Sequence, residues 1–306
     1  MNACYVANHN PKFNYLEDIR TFKARKDLPV ELYNLDILDW SPPCSSFSMA
    51  WNREDDRWKE KKFREWQELQ ELDTLFFDFI DLAKELQPKI VVAENVKGLL
   101  LWEARKYVQE IYKQFDEAGY YLEHYLLNAS DMWVPQARER VFFVWVRKDQ
   151  AQMIQQKDMF NFWPKLKLEF SEKPILFWEI YDWEWRELSE NMKIVWEAKE
   201  FWDNSMESWC FRKFWKSSYF SQSYLYKDKV SPTITSHEDS LVLFNAPKYT
   251  SKNEVCKIWS YPLDYDFMKC KPHYLIGMSV PPVMMAQIAS EIYTQLLKAT
   301  RETTSF

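Results

Sequence analysis

The chain has 306 residues, 47% of them hydrophobic and 28% charged, with a net charge of −6. That balance supplies a core, excludes a disordered chain and, at roughly 150 residues per domain, suits one large domain or two smaller ones. No stretch reaches the roughly 18 apolar residues of a membrane span, and MNACYVANHNPKFN lacks the basic-then-apolar plan of a signal peptide. The expected setting is therefore the cytoplasm, without a membrane partner. Five cysteines (Cys4, Cys44, Cys210, Cys256 and Cys270) form no CxxC pair, and the four histidines are dispersed. This spacing argues against structural zinc, any other metal site and a disulfide framework. The acidic balance does not announce a nucleic-acid binder, so any such surface must be a local patch.

The first 148 residues alternate between strand and helix patterns. ELYNLDIL (31–38) predicts a short strand running into the loop DWSPPCSSFS. The segment 59–87 carries Leu69, Leu72, Phe76, Phe79, Leu82 and Leu86 at helical spacing, and Pro88 stops it. KIVVAENV (89–96) predicts a buried strand with a polar end. A helix over about 102–118 closes at Gly119, and YYLEHYLLN and RVFFVWVR predict two more strands. This order implies an α/β fold with a parallel sheet, whose ligands bind at the carboxyl ends of the strands. Residues 150–228 show no clear period and predict a separate, irregular module. From 229 the pattern tightens into a turn and strand (KVSPTITSHEDSLVLF) and an amphipathic helix over 281–299, started by prolines.

Three clusters fall at strand ends: Pro42-Pro43-Cys44, Glu94-Asn95-Val96, and Gln136-Ala137-Arg138-Glu139-Arg140. Taken singly, each has an ordinary structural reading as packing or surface charge. Together, a thiol, a carboxyl and two arginines suit addition of a sulfur nucleophile across the C5–C6 bond of a pyrimidine.

The order of these segments resembles the DNA (cytosine-5) methyltransferase family over nearly the whole chain. DWSPPCSSFS resembles that family's catalytic cysteine loop, QPKIVVAENVKGL its ENV strand, and VPQARERVFFV its QxRxR motif. SPTIT and YLIGMSVPPVMMAQIA resemble the two closing motifs. The resemblance implies a Rossmann-like S-adenosylmethionine-dependent methyltransferase fold with a smaller irregular target-recognition domain. It places a catalytic domain at 1–149 with its first strand missing, target recognition at 150–228, and a return to the catalytic domain at 229–306.

Carried onto this sequence, the resemblance implies that Cys44 attacks C6 of a cytosine taken out of duplex DNA. Glu94 would grip the N3 and amino edge of the ring, while Arg140 and Arg138 steady its oxygen and favour the thiolate. Asn95 and Gln136 would support the site. The resemblance places cofactor contacts at Asp18, Ile19, Pro43, Ser279 and Val280. The partners it implies are double-stranded DNA and either a cognate restriction endonuclease or a second chain supplying the missing strand. Two other readings are a silent DNA-binding remnant and a tRNA cytosine-5 methyltransferase, the latter disfavoured by the length of 150–228.

The sequence departs from the family in two ways. Met1 falls just after the FxGxGG turn and the acidic ribose-binding position, so this polypeptide is expected to bind the cofactor poorly unless an upstream start or another chain completes the pocket. Ser45 and Met278 also replace a family Gln and Asn. The second departure is compositional: 3 glycines accompany 16 tryptophans, whereas average usage of about 7% would give roughly 21 glycines. Trp40, Trp51 and Trp133 stand at positions where the family commonly has glycine, and FWE (177–179) and WEW (183–185) read more naturally as glycine turns. These positions suggest UGA codons that mean glycine in the source cell; an aromatic-rich decaying gene is the alternative.

Overall fold

The computed structural model describes residues 1–42, 75–100, 104–155, 166–215, 222–234 and 239–298. The chain forms two compact units. One comprises residues 15–127, 139–169 and 288–306, the other 1–14, 128–138 and 170–287.

The first unit is built on a four-stranded sheet of order β1-β2-β4-β3, with β1 at Ile37–Trp40, β2 at Ile90–Val96, β3 at Tyr120–Asn128 and β4 at Glu139–Arg147. β1 and β2 run parallel, but β4 runs antiparallel to β2. The sheet is thus mixed where the sequence pattern implied a parallel one. The strand predicted over 31–38 also begins late: Val30–Asn34 form a 3-10 turn after Pro29, and the strand starts at Ile37. Proline presets the φ of a turn and has no N–H to give a ladder.

The helix Leu75–Leu86 buries Phe76, Phe79, Leu82 and Leu86, which its helical spacing singled out, and also Ile80 and Ala83, which it did not. Its predicted beginning at 59–74 lies outside the described residues. Phe76 and Phe79 join Val91 and Ala93 of β2, Phe143 and Trp145 of β4, and Ile111 and Phe115 of the helix Arg105–Glu117 in one core. β2 reads as a continuous apolar run because residues 90–93 are all buried. Gly119 follows with φ +93°, a conformation open to glycine without a Cβ penalty. Lys23 ties the helix Ile19–Lys23 to this body by contacting Asp78 at 2.7 Å and Asp81 at 2.6 Å.

The second unit carries a small sheet of order β5-β8-β7-β6, formed by Trp185–Glu187 (β5), Ser223–Leu225 (β6), Leu241–Leu243 (β7) and Lys248–Thr250 (β8). Leu188, Met192, Val195 and Met206 pack with Tyr224, Val242 and Tyr249 in one cluster. Phe177, Leu243, Val255, Trp259 and Ile276 belong to another. Residues 272–297 are long and apolar enough to cross a bilayer. They nevertheless break between the helices Pro272–Gly277 and Pro282–Ile292 and bury Ile276, Met284, Ile288 and Ile292 completely. Core helices satisfy the same length and hydropathy criterion.

Glu254 is fully buried at the start of the helix Lys252–Ile258. Its carboxylate accepts the Ser251 N–H at 3.0 Å, and Ser251 Oγ accepts the Glu254 N–H at 2.9 Å. This reciprocal cap satisfies two donors that the helix itself cannot. Burial, reinforced by the nearby Asp182 carboxylate, pushes the Glu254 carboxyl up to about 7 from its ordinary 4.5. A carboxyl whose folded pKa exceeds its unfolded value favours folding while protonated. Its contribution is therefore complete below about 4.5 and is lost as pH rises through about 7. Glu254→Gln keeps the cap acceptor without the charge. Urea unfolding at several pH values should show wild-type stability declining from pH 5 to 8 relative to the variant; parallel profiles would contradict this.

Candidate active site

β2 and β4 pair so that Glu94 faces Phe142 and Val96 faces Arg140. Glu94 and Arg140 therefore lie diagonally across one face of the sheet, within reach for long side chains. Arg140 Nε stands 3.0 Å from Glu94 Oε1, with the two side chains 15% and 14% exposed. Arg140 Nη1 also donates to its neighbour's carbonyl, Glu139 O, at 2.7 Å. The carboxylate is thus held by a cation at the polar end of a buried strand. Breaking so shielded a pair from one side leaves an uncompensated charge.

Asn95 projects to the opposite face by strand alternation and is 4% exposed. Its Oδ1 accepts the Val96 N–H at 2.8 Å, fixing the end of the strand. Lys97, just beyond, reaches Glu139 at 2.9 Å.

Gln136 and Arg138 lie in the second unit. Asn128 Oδ1 accepts the Arg138 N–H at 3.0 Å, and the Ala129 N–H donates to Arg138 O at 3.0 Å. The Ala137 N–H donates to Ser231 O at 2.8 Å, and Thr233 Oγ1 donates to Ala137 O at 2.6 Å. The SPTIT segment is therefore clamped to the QAR segment. Arg138 is buried, its guanidinium 4.4 Å from the centroid of the Trp259 ring, with Nη2 donating to Ser279 O at 3.4 Å. Gln136 is fully buried, and neither polar atom of its side chain has a hydrogen-bond partner among the described residues.

Asp18 caps the helix Ile19–Lys23 by accepting the Arg20 N–H at 2.8 Å and keeps a half-exposed carboxylate. A carboxylate so placed is an acceptor suited to a hydroxyl or amino group, as a nucleoside cofactor requires. Ser279 fits less directly: its Oγ donates to Ile276 O at 2.7 Å, while its carbonyl receives Arg138. Val280 follows at intermediate exposure. Cys44 and Pro43, on which the sequence reading leans most, lie outside the described residues, as does Trp51.

The structure thus joins Glu94 to Arg140 and Arg138 to Ser279. It adds three residues that the motifs did not single out: Asn128, Thr233 and Trp259. Thr233 stands inside a recognised segment; a lone Asn and a lone Trp carry no signal before their contacts are known. A concavity of about 490 Å³ lined by Leu99, Leu100, Arg105, Val108, Tyr112 and His124 contains none of the residues the motifs named.

The fold is that of an α/β methyltransferase. A solved structure described as a DNA modification methyltransferase encoded within an E. coli prophage superposes with a TM-score of 0.66, covering 96% of this chain and 89% of its own at 17% identity. The chain belongs to the C-5 cytosine-specific DNA methylase family, whose model matches residues 1–294. It is similar to the Type II methyltransferase M.FnuDI of Fusobacterium nucleatum, 39% identical over 148 residues, 47% of this chain and 37% of that protein. It is also similar to the Type II methyltransferase M.NgoPII of Neisseria gonorrhoeae, 38% identical over 152 residues, 48% and 38% of the two chains. These matches span little more than a third of the curated relatives.

Proposed function

We propose that the protein transfers a methyl group to C5 of cytosine in duplex DNA, in a restriction–modification setting. The observation that carries this reading is the shielded Glu94–Arg140 pair at the carboxyl end of β2 in a chain of this family. Cys44 attacks C6 of a cytosine extruded from the duplex, because C6 is out of reach inside the base stack. Glu94, oriented by Arg140, hydrogen-bonds the N3 and amino edge, which draws electron density from C6. Arg140 and Arg138 balance the charge that reaches the base oxygen. S-Adenosylmethionine, when bound, supplies the methyl group. Asp18, Ile19, Pro43, Ser279 and Val280 are the residues proposed to hold it. Elimination of the C5 proton then releases the Cys44 sulfur. Residues 150–228 are proposed to read the target sequence, with the rest of the chain forming the catalytic part.

The test is incubation with tritium-labelled S-adenosylmethionine and mixed duplex DNA. Label should enter the DNA with the wild-type chain and fall to background with Cys44→Ser. Label that survives the Cys44 change removes the assigned nucleophile. Label in transfer RNA but not in DNA would move the substrate to the RNA class.

A further inference from the structure

Trp133, Trp183 and Trp215 share a backbone conformation that tryptophan disfavours, with φ of +54°, +64° and +52°. At the first, the Met132 and Val134 N–H groups both return to Ala129 O, at 3.0 and 3.2 Å. The six-residue closure made by Val134 marks residue 133 as the left-handed position after a helical turn, the position glycine fills most often. Trp215 closes the helix Glu207–Phe214 in the same sense, its N–H donating to Phe211 O at 2.9 Å. Trp183 lies in a turn where Asp182 Oδ1 accepts the Glu184 N–H at 3.2 Å. In compensation the indoles gain little, since the three residues are 56%, 69% and 81% exposed.

Other tryptophans differ sharply. Trp145 and Trp259 are fully buried; Trp145 stacks on Phe115 at 3.9 Å, and Trp259 underlies Arg138. Trp40, Trp178 and Trp185 lie in a strand, a helix and a strand, with none at positive φ. Backbone geometry therefore supports the glycine reading at 133 and 183, adds 215, and gives it no support at 40, 178 or 185.

We infer that residues 133, 183 and 215 are glycine in the native protein, whereas 145 and 259 are tryptophan. The decoding that produces this split is UGA read as glycine in the source cell at the first three, with UGG at the other two. The inference rests on backbone and packing alone and stands apart from the proposed reaction. Residue 133 nevertheless closes the turn that leads into Gln136 and Arg138, so a glycine there shapes the segment that presents both.

Mass spectrometry of the protein isolated from its source cells tests the assignment position by position. Peptides should carry glycine at 133, 183 and 215 and tryptophan at 145 and 259. Tryptophan at any of the first three, or glycine at either of the last two, overturns it. A second measurement uses recombinant protein. Each Trp→Gly change at the three sites should raise the folding equilibrium constant about fivefold or more, because only glycine lacks the Cβ that strains this conformation. The matching Trp→Ala changes retain that Cβ and should give no such gain. Equal effects of Gly and Ala would contradict the strain argument.

Discussion

Glu94→Gln is expected to lower the rate of methyl transfer by about 10²- to 10⁴-fold, the usual range for loss of a positioned acid or base. The glutamine oxygen can still accept from Arg140 Nε, now 3.0 Å from the carboxylate, so the strand end should keep its shape. What disappears is the carboxyl group itself. An amide neither donates a proton to a ring nitrogen nor carries the charge that stabilises a protonated one. The cost in stability should be smaller, about 1–3 kcal/mol for a weakened charge-assisted contact. Initial rates at saturating DNA, measured beside thermal unfolding, separate the two effects. A rate within threefold of wild type would remove Glu94 from the chemistry.

Trp145→Ala should cost about 3–5 kcal/mol, a large part of a typical stability of about 5–15 kcal/mol. Its ring is fully buried between Phe115, at 3.9 Å, and Phe143, at 5.6 Å, with Phe76 edge-on at 6.2 Å. Truncation leaves a cavity that two packed helices and a sheet cannot close. Trp145→Phe should cost clearly less than Trp145→Ala, because it leaves a smaller cavity. Phenylalanine keeps a stacking ring and also removes an indole N–H that has no hydrogen-bond partner among the described residues. Chemical unfolding that finds the alanine and phenylalanine variants equally stable would contradict this account of the core.

The sequence made the interior legible wherever one spacing demanded one structure. Phe76, Phe79 and Leu86 could share a face only on a helix, and the run Ile90–Ala93 suited only a strand covered on both sides. The direction of β4 was not legible, because a continuous apolar run such as VFFVWV fits a buried strand of either direction. Val30–Asn34 misled because apolar residues beside Pro29 suit a strand and a tight turn equally. At the candidate site, the residue types and their order were readable, whereas the Glu94–Arg140 ion pair was not. Nor was partner identity: Arg138 meets Trp259 and Ser279 only through long-range folding. The excess of tryptophan was visible as a count. Which positions conflict with the backbone became clear only from the φ angles, which put 215 on that list and left 40 off it.

The central claim is a covalent bond between the Cys44 sulfur and C6 of cytosine. Duplex DNA carrying 5-fluorocytosine in place of cytosine tests it directly, since fluorine at C5 leaves no proton to remove and the sulfur cannot be eliminated. Incubated with S-adenosylmethionine and digested, the wild-type protein should yield a peptide joined to the modified base through Cys44. An adduct mapped to another residue, or no adduct from a preparation that methylates ordinary DNA, would contradict the account.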